Sequence, residues 1–332
     1  MRITSFAGTG APGYQGDGGP AQAAQLHGPF DLTFDPAGGL VFTDTFNHSV
    51  RRIAPATGRI ATIAGCGEAG FSGDGGPATA ARLREPYGIA IAGNGRIFVV
   101  DRLNRRVRAI DPATGIIATI AGDGRAVSDG DGGPATAAGL LEPNDCCLDA
   151  GGTRLLIADV AGHRVRALDL ASGRIATLAG TGEARHDGDG SPATHAALHG
   201  PRAVALAADA AILILERNGN TLRRIDPATG IIATIAGTGV RGEAGDGGPA
   251  RAAEFAAPKE LAVARDGAIL IVDTETNRIR RIGRDGIVTT LAAGLARPHG
   301  VAEGPDGAFY IGDTEQHRIA RLDLAWSDHV PT

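Results

Sequence analysis

The sequence predicts an all-β protein, a six-bladed β-propeller of four-stranded antiparallel blades, and three observations carry that prediction. A proline-ended segment recurs six times. The same succession of short β-branched runs follows each recurrence. The one unit that lacks its last run is completed by the first residues of the chain. Self-similarity at a period of this length is the mark of stacked or radially closed repeat architectures. Composition agrees: 51 of the 332 residues are glycine and only 4% are aromatic, which suits a chain of many tight turns. With 43% hydrophobic and 21% charged residues wholesale disorder is excluded, and the glycines follow no three-residue period, which excludes collagen.

The recurring segments are LHGP (26–29), LREP (83–86), LLEP (140–143), LHGP (198–201), FAAP (255–258) and LARP (295–298), their prolines 57, 57, 58, 57 and 40 residues apart. After each proline an apolar run such as LTF or IAI meets a turn (DPAGG, AGNGR, PDGA), and a second run follows (LVFTD, IFVVD, ILIVD). A polar loop leads to a third run (SVRRI, RVRAI, RIRRI), and PATG turns open a fourth (RIATIAG, IIATIAG). Four short β-branched runs separated by Gly, Pro and Asp turns make an antiparallel meander. Six meanders without helical periodicity between them close radially and hide their sheet edges. The blades are expected at about 26–67, 83–124, 140–182, 198–239, 255–294 and 295–330 plus 2–10, in a single domain over 1–332. RITSFAGTG at 2–10 matches RIATIAGTG elsewhere, so the first strand is expected to complete the last blade.

The stretches DGAILIVDTETNRIRRI (266–282) and PHGVAEGPDGAFYIGDTEQHRIARL (298–322) resemble the NHL repeat, and the resemblance extends over essentially the whole chain. It implies the propeller fold. The function it implies is open, because relatives of this fold include peptidyl-hydroxyglycine amidating lyase, enzymes of the virginiamycin B lyase type, lactonases, strictosidine synthase and protein-binding propellers, and fold does not settle function.

The six blades serve as one another's controls. The junction loop reads GDGGPAQ, GDGGPAT, GDGSPAT or GDGGPAR in five copies. Asp17, Asp74, Asp131, Asp189 and Asp246 are expected to make turns, since no copy has the spacing of a calcium loop. The proline suits the first position of a short helix running to the next Leu. The fifth-to-sixth junction lacks the insert, so the rim should be lower there and form an entrance. An acid ends the second run in every blade (Asp44, Asp101, Asp159, Glu216, Asp273, Asp313). An arginine follows seven residues later in five of them (Arg51, Arg108, Arg166, Arg223, Arg280). Such repetition points to turn-capping acids and blade-to-blade ion pairs.

The slot after the proline differs in every blade: Phe30, Tyr87, Asn144, Arg202, Lys259 and His299. The next slot holds Asp31, Gly88, Asp145, Ala203, Glu260 and Gly300. These positions start the innermost strands and should ring the top mouth of the channel. A purely structural ring would repeat, so this one is the candidate site. Lys259 is the one lysine among 32 lysines and arginines. Unlike arginine, a desolvated lysine can lose its proton and serve as base or nucleophile. Blades four to six then set Arg202, Lys259 and His299 side by side, facing Phe30, Asp31, Tyr87, Asn144 and Asp145. Lys259, His299 and Tyr87 are the expected catalytic groups. Arg202, Asn144, Asp145, Glu260, Phe30 and Asp31 are expected to bind the substrate. The resemblance to the amidating lyase places His299 in a Pro-His-Gly slot that holds zinc-binding histidines there. The matching slots of the other blades lack them, and zinc needs about three protein ligands. His27 and His199, two residues before their prolines, could approach the mouth from another register. No cofactor is expected, a metal ion being the minor alternative.

The resulting expectation is a small-molecule lyase acting by acid–base chemistry on an anionic carboxylate or carbonyl substrate. The virginiamycin B lyase type resembles it in using a propeller-mouth histidine. The rival is a non-catalytic protein- or peptide-binding scaffold. RNA binding is disfavoured by a net charge of -5 and few aromatics. A calcium-dependent lactonase is disfavoured by Arg202 and Lys259. Cys66, Cys146 and Cys147 fit neither a disulfide framework nor a zinc site and suggest a reducing compartment. Cys146 and Cys147 replace apolar residues and are expected to be buried. His48, His163 and His317 repeat in the second polar loop and are read as structural, and Tyr310 and Trp326 as packing. With no leader-like apolar run, no membrane-length segment and no basic surplus, a cytoplasmic monomer is expected, without nucleic-acid or membrane partners.

Overall fold

The computed structural model describes residues 2–324, so Trp326 and the end of the sixth unit lie outside the described residues. The chain opens with β1 (Arg2–Ala7). Blade one is β2 (Pro29–Phe34), β3 (Leu40–Asp44), β4 (Ser49–Ile53) and β5 (Ile60–Ala64). Blade two is β6 (Pro86–Ile91), β7 (Ile97–Asp101), β8 (Arg106–Ile110) and β9 (Ile117–Ala121). Blade three is β10 (Pro143–Leu148), β11 (Arg154–Asp159), β12 (Arg164–Asp169) and β13 (Ile175–Ala179). Blade four is β14 (Pro201–Leu206), β15 (Ile212–Glu216), β16 (Thr221–Ile225) and β17 (Ile232–Ala236). Blade five is β18 (Glu260–Val263), β19 (Ile269–Asp273), β20 (Arg278–Ile282) and β21 (Val288–Ala292). Blade six has β22 (Val301–Glu303), β23 (Phe309–Asp313) and β24 (Arg318–Asp323), and β1 pairs antiparallel with β24 as its outermost strand. The chain ends are thus tied by one sheet, as the sequence predicts.

The apolar faces of the strands meet between blades. The described core falls into six layers, one per neighbouring pair of blades; Val41, Val50, Leu83, Ile89 and Val99 fill the layer between blades one and two. This is why each blade reads as short β-branched runs: both faces of a blade are covered by its neighbours.

The turn after the second strand of each blade ends in a residue with left-handed backbone: His48, Arg105, His163, Asn220, Asn277 and His317, with φ between 48° and 58°. Asn and His tolerate that conformation better than most residues. Their side chains do a second job. His48 Nδ1 accepts the Glu85 N–H of the next blade at 3.2 Å, His163 Nδ1 accepts Gly200 N–H at 3.2 Å, and His317 Nδ1 accepts Gly28 N–H at 3.3 Å. Asn220 and Asn277 do the same through Oδ1 for Ala257 (2.9 Å) and Arg297 (2.8 Å). The repeating histidines are therefore blade-to-blade joints.

Two sequence expectations are corrected. The prolines of the junction loops do not start helices that run to the next Leu. Pro20 and its counterparts keep extended backbone and precede single 3-10 turns of three residues, such as Ala21–Ala23, which stop when the next alanine turns extended. The acid–arginine pairs, moreover, lie within a blade instead of between blades. Arg51 reaches Asp44 of its own blade (3.3 Å) and Asp17 of the junction loop lying along that blade (2.7 Å), and Asp17 also accepts the Thr62 N–H. Arg108 repeats this with Asp101 and Asp74, Arg223 with Glu216 and Asp189, and Arg280 with Asp273 and Asp246. In blade three, by contrast, Arg166 pairs with Asp131 alone among the described residues, and Asp159 instead accepts the Leu141 and Glu142 N–H groups. The junction-loop aspartates are ion-pair partners as well as turn formers, a role that sequence spacing alone does not reveal. In blade six, where Ala320 stands at the arginine position, Arg318 takes over and pairs with Asp313.

Candidate functional site

The innermost strands β2, β6, β10, β14, β18 and β22 stand around the channel, each touching the next. In blades one to four the strand register slips just after the proline, across Pro29/Leu32, Pro86/Ile89, Pro143/Asp145 and Pro201/Ala203. A bulge of this kind re-aims a side chain out of the regular pleat. Phe30, Tyr87, Asn144 and Arg202 sit in these bulges. In blades five and six the inner strand starts later, and Lys259 and His299 are pinned by their own N–H groups to Val272 O and Gly312 O at 3.0 Å. The variable slot therefore does ring the channel. Five of its members are buried, Tyr87 being half-buried.

The ring is a contact network. The Phe30 ring stacks on His299 (centroids 3.9 Å apart) and lies 4.6 Å from Tyr87, and the Arg202 guanidinium lies over Tyr87 at 5.2 Å. Lys259 Nζ is 3.3 Å from His299 Nε2 and 3.3 Å from Glu275 Oε1. His299 Nδ1 faces Arg297 O (2.9 Å) and Thr314 Oγ1 (3.0 Å), and that hydroxyl donates to Pro29 O. A carbonyl can only accept, so Nδ1 carries the proton and Nε2 offers its lone pair to the Lys259 ammonium. Burial, then the charges of Lys259 and Arg202, hold His299 well below its ordinary range and so neutral. Burial, then Arg297 and Arg202, lower Lys259 to about 8. Burial raises the Tyr87 phenol, which stays protonated at neutral pH. Asn144 donates to Glu142 O at 3.0 Å. Arg202 is 5% exposed and has neither hydrogen-bond nor ion-pair partner among the described residues.

The 3-10 turn of the other junctions is absent between β21 and β22, as expected for a lower rim. The gap is not bare. Arg297 bridges Glu275 (3.0 Å) and Glu315 (3.2 Å), linking the top loops of blades five and six beside Lys259. Glu275 is a member of the site that sequence comparison among blades missed, because it lies in a loop whose residues vary freely.

One layer below the ring the structure gathers Asp31, Asp145 and Glu260, with carboxylate oxygens all within 4.8 Å of one another. They come from blades one, three and five, and the intervening blades carry Gly88, Ala203 and Gly300. The alternation is steric: a Cβ on Gly88 would lie 2.5 Å from Asp145 Cα, and one on Gly300 2.2 Å from Phe30 O. This alternation was visible in the second slot of the sequence. Asp31 accepts the Ile89 N–H (2.8 Å) and the Leu32 N–H (2.7 Å), Asp145 accepts Val204 N–H (2.9 Å), and Glu260 accepts Leu261 N–H (3.0 Å). Two of these bonds stitch a blade to its neighbour. Burial raises all three acids, Asp31 to about 8 and Asp145 to about 6. For Asp31 and Glu260, neighbouring carboxylates add to the burial effect. Arg202 is the cation whose charge lowers each of them. A cavity of about 310 Å³ runs from this acid layer along the inner strands to the exposed Arg265, with Cys146 and Cys147 in its wall. Cys146 is buried as expected, whereas Cys147 is only half-buried; desolvation raises both thiols well above the usual range.

Oxygen donors of this kind suit hard cations such as calcium or magnesium, although three of the four described amide contacts already occupy Asp31 and Asp145. A zinc ring of histidines does not fit. Both nitrogens of His299 are engaged, the His27 ring packs on Phe46 and His317, and His199 lies 6.4 Å from His163.

A model of the teneurin NHL domain matches residues 62–129 and 239–296. The protein SUPPRESSOR OF QUENCHING 1, chloroplastic, of Arabidopsis thaliana is 27% identical over 304 residues, covering 87% of this chain and 28% of that protein. NHL repeat-containing protein 2 of Gallus gallus is 32% identical over 99 residues, covering 29% of this chain and 14% of that protein. The chain thus spans less than a third of the length of either relative. Among solved structures, a streptogramin B lyase superposes with a TM-score of 0.58 at 17% identity, covering 97% of both chains. At that identity the likeness speaks for the fold.

Proposed function

We propose that this six-bladed propeller of NHL-type repeats is a small-molecule lyase, acting by acid–base chemistry on an anionic substrate at the upper end of its channel. The observation that carries the reading is Arg202, a buried guanidinium with neither hydrogen-bond nor ion-pair partner among the described residues, set in one ring with the Lys259–His299 pair. A buried guanidinium whose N–H groups lack acceptors is costly, and a substrate carboxylate would complete it through a two-pronged hydrogen bond. Lys259, held to about 8, has the proton affinity that general-base work near neutrality requires. It would take the proton from the carbon next to the carboxylate or carbonyl. His299 Nε2, 3.3 Å away, would exchange that proton with it, and the Tyr87 phenol would protonate the leaving group. Phe30 and Asn144 shape the ring, and Asp31, Asp145 and Glu260 form its floor. The lyase among the solved structures shares the propeller scaffold, and the choice of elimination rests on that analogy.

A binding scaffold for protein or peptide is the rival. It is favoured by the packing of Phe30 against both Tyr87 and His299, which narrows the mouth, and by the half-exposed Phe46 beside Phe30 on the rim. Incubation with a pooled metabolite extract, followed by mass spectrometry, separates the two. A compound consumed by the wild type and untouched by Lys259→Met supports the enzyme and names the reaction by its mass change. No consumption in a pool rich in carboxylates sinks the lyase and leaves the scaffold.

A further inference from the structure

We propose that Lys259 is a covalent nucleophile for 2-oxo acids, forming an imine with the substrate carbonyl while Arg202 holds the substrate carboxylate. This inference rests on the reading of the ring as a substrate site and narrows its substrate class. Four observations carry it. The chain has one lysine, and the fold puts it 93% out of solvent, at 7% exposure, in the ring around the channel. Its Nζ has a proton acceptor already in place, His299 Nε2 at 3.3 Å, with the tautomer fixed by the Arg297 carbonyl on the far side of the imidazole. The buried Arg202, without a hydrogen-bond or ion-pair partner among the described residues, supplies the counter-charge for a carboxylate. The Phe30 ring stacked on His299 sets an apolar face beside the amine, a setting that would slow hydrolysis of an imine. Arginine at position 259 would satisfy Glu275 as well as lysine does, whereas only an amine can add to a carbonyl.

The step balances without a further reactant. Lys259 gives one ammonium proton to His299 Nε2, and the freed nitrogen pair bonds to the carbonyl carbon as the C=O π pair moves to oxygen. A proton passes from nitrogen to that oxygen, giving the carbinolamine. The nitrogen pair then forms the C=N bond while the hydroxyl leaves as water with the proton held on His299. A protonated imine and a neutral His299 result. His299 Nε2 is then free to take a proton from the neighbouring carbon, whose bonding pair enters the conjugated enamine. The lowered proton affinity of Lys259, about 8, leaves about a tenth of it as free amine at pH 7.

The test uses pyruvate as probe with cyanoborohydride at neutral pH, read by intact mass and peptide mapping. One reduced pyruvate adduct per chain is expected on the peptide containing Lys259, and none there in Lys259→Arg or Lys259→Met. Arg202→Gln should raise the pyruvate concentration for half-labelling about tenfold more than it raises that for acetaldehyde, the loss of one charge-assisted contact, because acetaldehyde lacks the carboxylate and reports only the smaller free-amine fraction left when the Arg202 charge no longer lowers Lys259. In deuterated water the pyruvate methyl protons should exchange with the wild type and not with Lys259→Arg. No adduct, or an adduct confined to the chain's α-amino group, overturns the proposal, and both are read on the wild type without any variant that must fold. A metabolite consumed in a Lys259-dependent manner without an adduct removes the imine and leaves the acid–base lyase standing. An adduct without turnover of any metabolite keeps the nucleophile and removes the lyase.

Discussion

Lys259 differs from the other cations of the chain in having its charge within reach of titration. If it acts as base or nucleophile, its neutral form is the active one. Activity should therefore rise with pH up to about 8 and level off above it, a profile that steady-state kinetics against the identified substrate will show. Lys259→Met should lower the rate by about a hundredfold or more, the usual share of a general base, at every pH. The acid layer has its own signature. Burial raises Asp31 and Asp145, so the folded state prefers their protonated forms. That stabilisation is fully present below the ordinary carboxylate range near 4 and is lost as pH rises through about 6 for Asp145 and about 8 for Asp31. Burial lowers His48, His163 and His317, which act in the opposite sense, their joints weakening as pH falls below about 6.5. Comparison with Asp31→Asn subtracts the histidines. The urea midpoint of the wild type, relative to that variant, should fall between pH 5 and pH 8, and a difference constant over that range would refute the buried-acid account.

At the scale of the blade, the recurring arginine is the part most exposed to mutation. Arg108 is fully buried between the fully buried Asp101 and the half-exposed Asp74. Arg108→Met strands a buried carboxylate and should cost about 3 kcal/mol or more. Asp74→Ala removes only the solvent-screened partner and should cost about 1 kcal/mol or less. Denaturant unfolding of the two variants measures both, and equal losses would show that the arginine holds the junction loop more than the blade. The same element explains why the sequence reading put ion pairs between blades. Spacing identifies the acid and the arginine that share a motif, but whether strands two and three of one blade or two different blades bring them together is a matter of register: Asp101 lies opposite Arg106 and Arg108 opposite Val99, so a seven-residue separation across a tight turn sets acid and arginine diagonally, two positions apart on one face of one sheet. The true joints are the left-handed His and Asn residues, whose blade-to-blade bonds need a partner some 20 to 37 residues on for four of the five, and the whole chain length for His317 and Gly28.

For the whole molecule, closure depends on β1. It supplies the outer strand of blade six and pairs with β24 from Arg2 opposite Asp323 to Ala7 opposite Ile319. Removing residues 1–7 would leave the edge of β24 unpaired and expose Ile319 and Tyr310 of the layer that Ala7 covers. Such an edge templates pairing with other chains. The truncated protein should unfold at a lower temperature and elute as larger species in size-exclusion chromatography, and an unchanged profile would show that closure lies in the inner strands alone.

The repeat period, the order of strands, the completing first strand and the membership of the ring were legible in the sequence, because each depends on local patterning: β-branched runs, turn residues and the comparison of equivalent slots across blades. The residues of the ring were legible for the same reason, Phe30, Tyr87, Asn144, Arg202, Lys259 and His299 being the ones that break the repeat. What only the tertiary structure decided are distances across the channel and the loss of water. That Arg202 is buried without a hydrogen-bond or ion-pair partner among the described residues, that His299 turns Nε2 and not Nδ1 to Lys259, that Glu275 joins them from a variable loop, and that Asp31, Asp145 and Glu260 meet in one layer all follow from bringing six blades to a common axis. Residues separated by more than a hundred positions in the chain become neighbours there, and their proton affinities are set by burial and by one another's charges, neither of which is a property of sequence spacing.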